Sequence, residues 1–127
     1  MKKFILLLTL IISSLFSSST KVTGAYAIGI FDAGGNGENV QHLRKTKADY
    51  SGTCYTKVFI AGNPFKIKPR VTIGNSEGIY QSSKPIYSKT RKLQIGVVML
   101  FKHFRVSKGY IKVSFKNKLY DSKVFVK

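Results

Sequence analysis

The sequence predicts a small all-β protein, an antiparallel β-sandwich or barrel of about seven or eight short strands, after an N-terminal signal peptide. Apolar and polar residues alternate with a period of two in several segments, most regularly in residues 65–73 and also in residues 110–116. Turn-forming residues separate these segments, and no amphipathic helix pattern follows residue 27. The strand spacing does not distinguish a sandwich from a barrel.

Residues 1–27 have the pattern of a secretory signal peptide. Lys2 and Lys3 precede an apolar run at residues 4–12, and Ala25 and Ala27 supply small residues at positions −3 and −1. A spanning helix needs about 20 apolar residues, more than this run provides. We expect cleavage after Ala27, or earlier in the Ser-rich stretch 13–20, and a secreted or extracytoplasmic protein (periplasm or cell surface in a bacterium) without a transmembrane anchor in the mature chain.

Residues 28–127 predict a single β-rich domain that begins with a short strand at residues 28–31. The following segment, 33–51, is rich in glycine and polar residues, which predicts loops or at most an edge strand. A phosphate-binding loop would end in Lys-Ser/Thr and lead into a helix, and this glycine-rich stretch has neither feature.

Clearer strand patterns follow this segment. We expect strands at residues 54–60, 65–73, 79–81, 86–88, 93–106, 110–116 and 119–127. Pro69 predicts an edge strand or a bulge, because proline cannot donate to a ladder. The apolar stretch 93–106 predicts a strand whose middle is buried on both faces. Asn117-Lys118 predicts a tight hairpin turn.

Charge is the most unusual property of the composition. The chain has 22 Lys and Arg against 5 Asp and Glu. Since Lys2, Lys3 and Lys21 lie within residues 1–27, the remaining 19 basic and 5 acidic residues give a net charge of +14. Such a balance predicts anionic partners, either a cell-surface polymer or lipid headgroups, with only non-specific binding of nucleic acid. An AT-rich genome, which enriches lysine codons, is the alternative explanation.

Five basic side chains are the candidate binding residues. They alternate with apolar residues on two predicted strands, and they are Lys66, Lys68, Arg70, Lys112 and Lys116. Alternate residues of a strand lie ~6–7 Å apart, similar to the charge spacing of an extended polyanion. The alternative is a solvated strand face whose lysines prevent edge-to-edge aggregation.

Candidates for catalysis and metal binding are few. Cys54 is the only cysteine, and His42 and His103 are the only histidines. A lone cysteine cannot form a disulfide within the chain, and animal secreted domains of this size usually carry several, so we expect a bacterial source. Two separated histidines and one cysteine do not form a zinc pattern. We therefore expect no catalytic residue, metal or cofactor.

These observations predict a secreted, non-enzymatic binding module for an anionic surface or polymer. The alternative function is a secreted antimicrobial or toxin-like (bacteriocin-type) effector that acts on membranes. A Cys54-dependent enzyme and a structural surface protein are further alternatives, and the sequence does not indicate an oligomeric state.

Overall fold

A computed structural model describes residues 21–64, 66–90 and 93–127, and it confirms the all-β prediction within them. The ten strands are β1 (Lys21–Asp32), β2 (Gly37–Asn39), β3 (Gly52–Asn63), β4 (Arg70–Ile73), β5 (Ser76–Glu77), β6 (Ile79–Tyr87), β7 (Gln94–Val106), β8 (Gly109–Phe115), β9 (Lys118–Asp121) and β10 (Phe125–Val126). The number exceeds the predicted seven or eight because β2 and β5 are too short to show an alternating pattern, and because the strand expected at residues 119–127 is divided into β9 and β10.

The strands form two antiparallel sheets. One, which we call the long sheet, has the order β2-β1-β3-β7-β6. The other, the short sheet, has the order β10-β8-β4-β5, with β9 also paired to β8. β1, β3 and β7 have 12, 12 and 13 residues, and they form the centre of the long sheet.

Inward side chains of both sheets share one hydrophobic core. In β3 every second residue is buried, which places Val58 and Ile60 in the core. In β8 the predicted alternation is confirmed, because Ile111 and Val113 are fully buried while Lys112 between them is exposed. This shared core leaves each sheet with one outer face that points away from it.

Two strands differ from the prediction around prolines. The expected strand 65–73 is paired only at Arg70–Ile73, because Pro69 lacks a backbone donor and the Ile67 amide donates to the Pro64 carbonyl in a turn. β6 is one strand where two were expected. Pro85 is accommodated there because β6 is an edge strand and pairs only with β7.

β7 and the final hairpin also depart from the prediction. The middle of β7 is buried on one face only, since Val97 and Met99 are buried whereas Val98 and Leu100 are half-buried on the other face. The tight turn falls one residue earlier than expected. Lys116 and Asn117 have φ angles of 50° and 67°, as a type I′ hairpin turn requires.

β1 starts within the segment predicted to be a signal peptide. Residues 1–20 lie outside the described part of the chain, but residues 21–27 pair with β3 in the long sheet. Ala25 and Ala27 are 3% and 1% exposed, and the Ala27 amide donates a buried hydrogen bond of 3.0 Å to Asp121 Oδ2. These residues are therefore an integral part of the sheet and its core.

Candidate anion-binding surface

The five predicted binding residues do not form one row. Lys66 and Lys68 precede β4 and are exposed, whereas Arg70 is its first residue. Lys112 lies in β8, and Lys116 lies in the turn between β8 and β9. The expectation that Lys66, Lys68 and Arg70 project from one strand was wrong, because the strand begins only at Arg70.

The fold brings together Arg70 and Lys112. Arg70 pairs with Ser114 and Thr72 pairs with Lys112 in the β4–β8 ladder, so both basic side chains lie on the outer face of the short sheet. Residues at this diagonal are roughly 7–8 Å apart. They line a shallow groove of about 340 Å³, which we call the basic groove, together with Thr72, Ser114 and Glu77.

Glu77 modifies the charge of the basic groove. Its Oε1 lies 2.6 Å from Arg70 Nε, and both side chains are more than half exposed. An exposed ion pair of this kind contributes little to stability. An arginine has five N–H donors, so Arg70 retains donors for a second anion beside the Lys112 ammonium group.

The other predicted lysines have different surroundings. Lys68 Nζ lies 4.2 Å from the ring centroid of Tyr80, which belongs to the long sheet. Lys68 is not among the residues that line the basic groove. Lys116 borders a separate depression with Lys118 and Tyr120.

Every carboxylate of the chain accepts a hydrogen bond from within the protein. Asp32 accepts from the Gly34 and Asn36 amides, Glu38 from Lys47, Ala48 and Tyr50, Asp49 from Ser51, Glu77 from Arg70, and Asp121 from Ala27 and Lys123. Among the side chains that the structure describes, Arg70–Glu77 is the only ion pair. The carboxylates thus serve mainly local structure instead of neutralising the basic surface.

Glu38 organises the segment that the sequence predicts as loops. Its carboxylate accepts hydrogen bonds from the Lys47 and Ala48 amides at 2.9 and 3.1 Å and from the Tyr50 hydroxyl at 2.7 Å. Burial raises the pKa of Glu38, but these hydrogen bonds to the charged form outweigh it, and the net result is a lowered pKa. The bonds hold residues 47–50 against β2, with Tyr50 buried.

Cys54 and His103 face each other across β3 and β7, and both are fully buried. Burial raises the pKa of the Cys54 thiol to about 11, which keeps it protonated at neutral pH. His103 Nε2 lies 2.8 Å from the Thr56 hydroxyl, and burial lowers the pKa of His103 to about 4. The Cys54 thiol is thus protonated and inaccessible, as in a structural cysteine, whereas a nucleophilic cysteine needs an accessible thiolate.

The outer face of the long sheet carries a surface that was not predicted from the sequence. Its members are apolar or aromatic, and we call them the outer apolar face: Tyr26, Phe31, Tyr55, Phe59, Ile79, Val98, Leu100 and Phe104. Ile79 and Phe104 are 52% and 47% exposed. The available signal was in β7, where Val98, Leu100 and Phe104 fall outside the inward-facing alternation.

Lysines are interspersed among these rings. Lys57 Nζ lies 5.1 Å from the Phe31 centroid, and Lys102 Nζ lies 5.7 and 4.9 Å from those of Tyr55 and Phe104. The Phe59 ring lies over Gly96, where an added Cβ would come within 2.6 Å of it. Glycine at this position therefore lets the Phe59 ring approach the backbone of β7 closely.

The described residues offer neither a cluster of metal ligands nor a membrane-spanning helix. No group of three His, Cys, Asp or Glu side chains within residues 21–64, 66–90 and 93–127 is arranged to hold a metal ion. The same residues contain no helix that is long and apolar enough to cross a membrane. Comparison with protein-family models, curated proteins and solved structures finds no match for this chain.

Proposed function

We propose that this chain is a secreted, non-enzymatic β-sandwich that binds an anionic surface or polymer. The use of carboxylates carries the proposal: all five accept hydrogen bonds within the protein, while the described basic residues form only one ion pair. A surface with this imbalance attracts polyanions over a distance of about 10 Å at moderate salt. The signal-peptide pattern supports a location outside the cytoplasm, where cell-wall polymers and lipid headgroups supply such anions.

The basic groove is the proposed contact for a polymer. Arg70 offers a planar set of donors suited to a phosphate or carboxylate, and Lys112 adds a second positive charge on the same face. Thr72 and Ser114 between them supply hydroxyl groups, so an anionic group there meets both charge and neutral hydrogen-bond partners.

Neutralisation of the basic groove distinguishes binding at this site from non-specific attraction by the net positive charge. The double variant Arg70→Gln/Lys112→Gln removes two charges from the groove, and Lys66→Gln/Lys89→Gln removes two exposed charges elsewhere. We expect the groove variant to lose at least about tenfold in affinity for an anionic cell-wall polymer, because a hydrogen bond to a charged group contributes ~1.5–3 kcal/mol. The control variant should change affinity by less than threefold.

The measurement is binding to anionic cell-wall polymer, DNA and anionic vesicles across a salt series. Retention of one ligand near 0.15 M salt, with loss in the groove variant only, supports a shaped site. Equal losses in both variants, and binding that disappears for every ligand as salt rises, would indicate counterion release alone and would contradict the groove.

A second candidate function is that of a toxin-like effector that damages membranes. The outer apolar face favours it, because exposed aromatic and aliphatic side chains beside lysines suit a bilayer interface. Release of a trapped dye from anionic vesicles distinguishes this effector from a passive binder, which leaves the vesicles intact.

A further inference from the structure

The outer apolar face forms two rows of side chains across the long sheet, and a lysine interrupts the second row. Tyr26, Phe59 and Val98 are cross-strand neighbours on β1, β3 and β7, and the Tyr26 and Phe59 ring centroids are 5.5 Å apart. Phe31 and Tyr55 begin a second row, which continues through Lys102 to Ile79 on β6. Apolar side chains therefore extend over four adjacent strands instead of standing singly.

The charges on this face are of one sign. Lys57 and Lys102 lie within it, and Lys84 lies at its β6 edge opposite Val98. None of the described residues that point outward from these four strands is acidic. A ligand that covers the face must thus accept apolar side chains and supply negative charge.

We propose that the outer apolar face docks on the interface of an anionic phospholipid bilayer. This proposal rests on the proposed function, the binding of an anionic surface, and names that surface. Aromatic rings favour the headgroup region, and lysines extend their ammonium groups to lipid phosphates while their stems cover apolar surface. Ile79 and Phe104, about half exposed, enter the acyl boundary. A hydrophilic polymer would leave these two side chains in water.

Charge argues against a second copy of the chain as the occupant. A two-fold symmetric contact brings the same patch together, so Lys57 and Lys102 would meet lysines of the partner without a carboxylate on either side. Anionic lipid neutralises these lysines instead, and each basic residue near the membrane surface strengthens the attraction. The face therefore complements an anionic bilayer better than it complements itself.

The test measures co-sedimentation with vesicles of phosphatidylcholine that contain phosphatidylglycerol, and with vesicles of phosphatidylcholine alone. Both the full chain and residues 21–127, which contain both sheets, are used. Ile79→Thr/Phe104→Thr removes the two exposed apolar side chains without changing charge, and it should lower partition into the anionic vesicles about tenfold. The control Ile67→Thr/Leu93→Thr removes two exposed apolar side chains elsewhere and should lower it less than twofold.

A second pair of variants tests the lysines. Lys57→Gln/Lys102→Gln should reduce partition several-fold more than Lys66→Gln/Lys89→Gln does, although both lose two charges. Far-UV circular dichroism and thermal unfolding of each variant verify that the fold is retained. If the Ile79/Phe104 variant partitions like its control, or if the protein binds uncharged vesicles equally well, the proposal is wrong.

Other occupants give distinct results. A dimer by sedimentation equilibrium that dissociates in the Ile79/Phe104 variant, without vesicle binding, would assign the face to a second copy. Vesicle binding by the full chain that residues 21–127 lack would assign the membrane affinity to residues 1–20, and either result overturns the proposal. Polymer binding without vesicle binding also overturns the bilayer proposal but leaves the proposed function intact. Absence of both polymer and vesicle binding would contradict the bilayer proposal and the proposed function together.

Discussion

His103 is a titratable side chain held neutral in the core, and its partners define its tautomer. The Ser76 carbonyl can only accept, so Nδ1 carries the proton in a long contact of 3.5 Å, and the Thr56 hydroxyl donates to Nε2 at 2.8 Å. Gly78 lies against the imidazole, where an added Cβ would come within 2.8 Å of Cε1. This enclosure leaves no room for the hydration that an imidazolium ion requires.

We expect His103 to make stability depend on pH between about 4 and 6.5. Burial lowers the pKa of His103 to about 4 from its ordinary 6.5, so below pH 6.5 the unfolded chain binds a proton that the folded protein does not. The free energy of unfolding should therefore fall by ~1.4 kcal/mol per pH unit as pH decreases, up to about 3 kcal/mol at pH 4.

Urea unfolding from pH 4 to 7.5 measures this dependence. His103→Gln retains a hydrogen-bonding side chain but has no titration, and it should show a flatter profile in that range. His42→Gln, which removes the exposed histidine, should keep the wild-type slope. An unchanged slope in the His103 variant would assign the pH dependence to carboxylates such as Glu38.

At the scale of elements, β1 links the export prediction to the fold. It spans Lys21–Asp32 and pairs with β3 along almost its whole length, with bulges near Thr23 and Ile28. A cut after Ala27 would remove residues 21–27 of β1, including the buried Ala25, and would abolish the hydrogen bond between the Ala27 amide and Asp121. A cut in the Ser-rich stretch 13–20, the other expected position, leaves β1 complete.

We expect residues 28–127 to be markedly less stable than residues 21–127. The truncation exposes the facing part of β3, including Ile60, and leaves a buried Asp121 oxygen without its Ala27 partner. A buried unsatisfied acceptor alone costs about 1–3 kcal/mol, and lost strand pairing adds to this. Thermal unfolding of the two forms measures the difference.

The mass of the protein recovered after export tests the same element in the cell. A mature form that begins at or before Lys21 agrees with an intact β1. A stable, soluble mature form that begins at Ile28 would contradict the role we give to residues 21–27.

For the whole molecule, the two candidate surfaces lie on different sheets and face away from the shared core. The basic groove occupies the outer face of the short sheet, and the outer apolar face occupies that of the long sheet. The groove presents hydrogen-bond donors with one neutralising carboxylate, whereas the apolar face combines lysines with exposed rings. Surfaces so different in chemistry and so placed should act independently.

We expect the two surfaces to separate by mutation and by salt. Arg70→Gln/Lys112→Gln should weaken polymer binding and leave vesicle partition at 0.5 M salt unchanged, because apolar burial is insensitive to screening. Ile79→Thr/Phe104→Thr should have the opposite effect. Parallel titrations with polymer and vesicles measure this, and coupled losses in both variants would indicate a single surface.

The all-β class, the excess of basic residues and the inward rows of strands such as β8 could be predicted from the sequence. These properties are local, because a period of two requires only consecutive residues such as Ile111 to Phe115. Short strands such as β5 could not be predicted, since two residues carry no period. The segment before β4, which contains Pro69, was wrongly predicted to be a strand, because Lys66 and Lys68 alternate with apolar residues outside any strand.

The contacts between distant side chains could not be predicted and depend on the folded arrangement of the strands. Arg70 and Lys112 are far apart in the chain, and the β4–β8 register places them in one groove. Val98 and Leu100 interrupt the alternation of apolar and polar residues in β7. In the fold they lie beside Phe59 and belong to the outer apolar face. The physical reason is that a surface depends on the register between distant strands, which a one-residue shift would invert and which no single segment encodes.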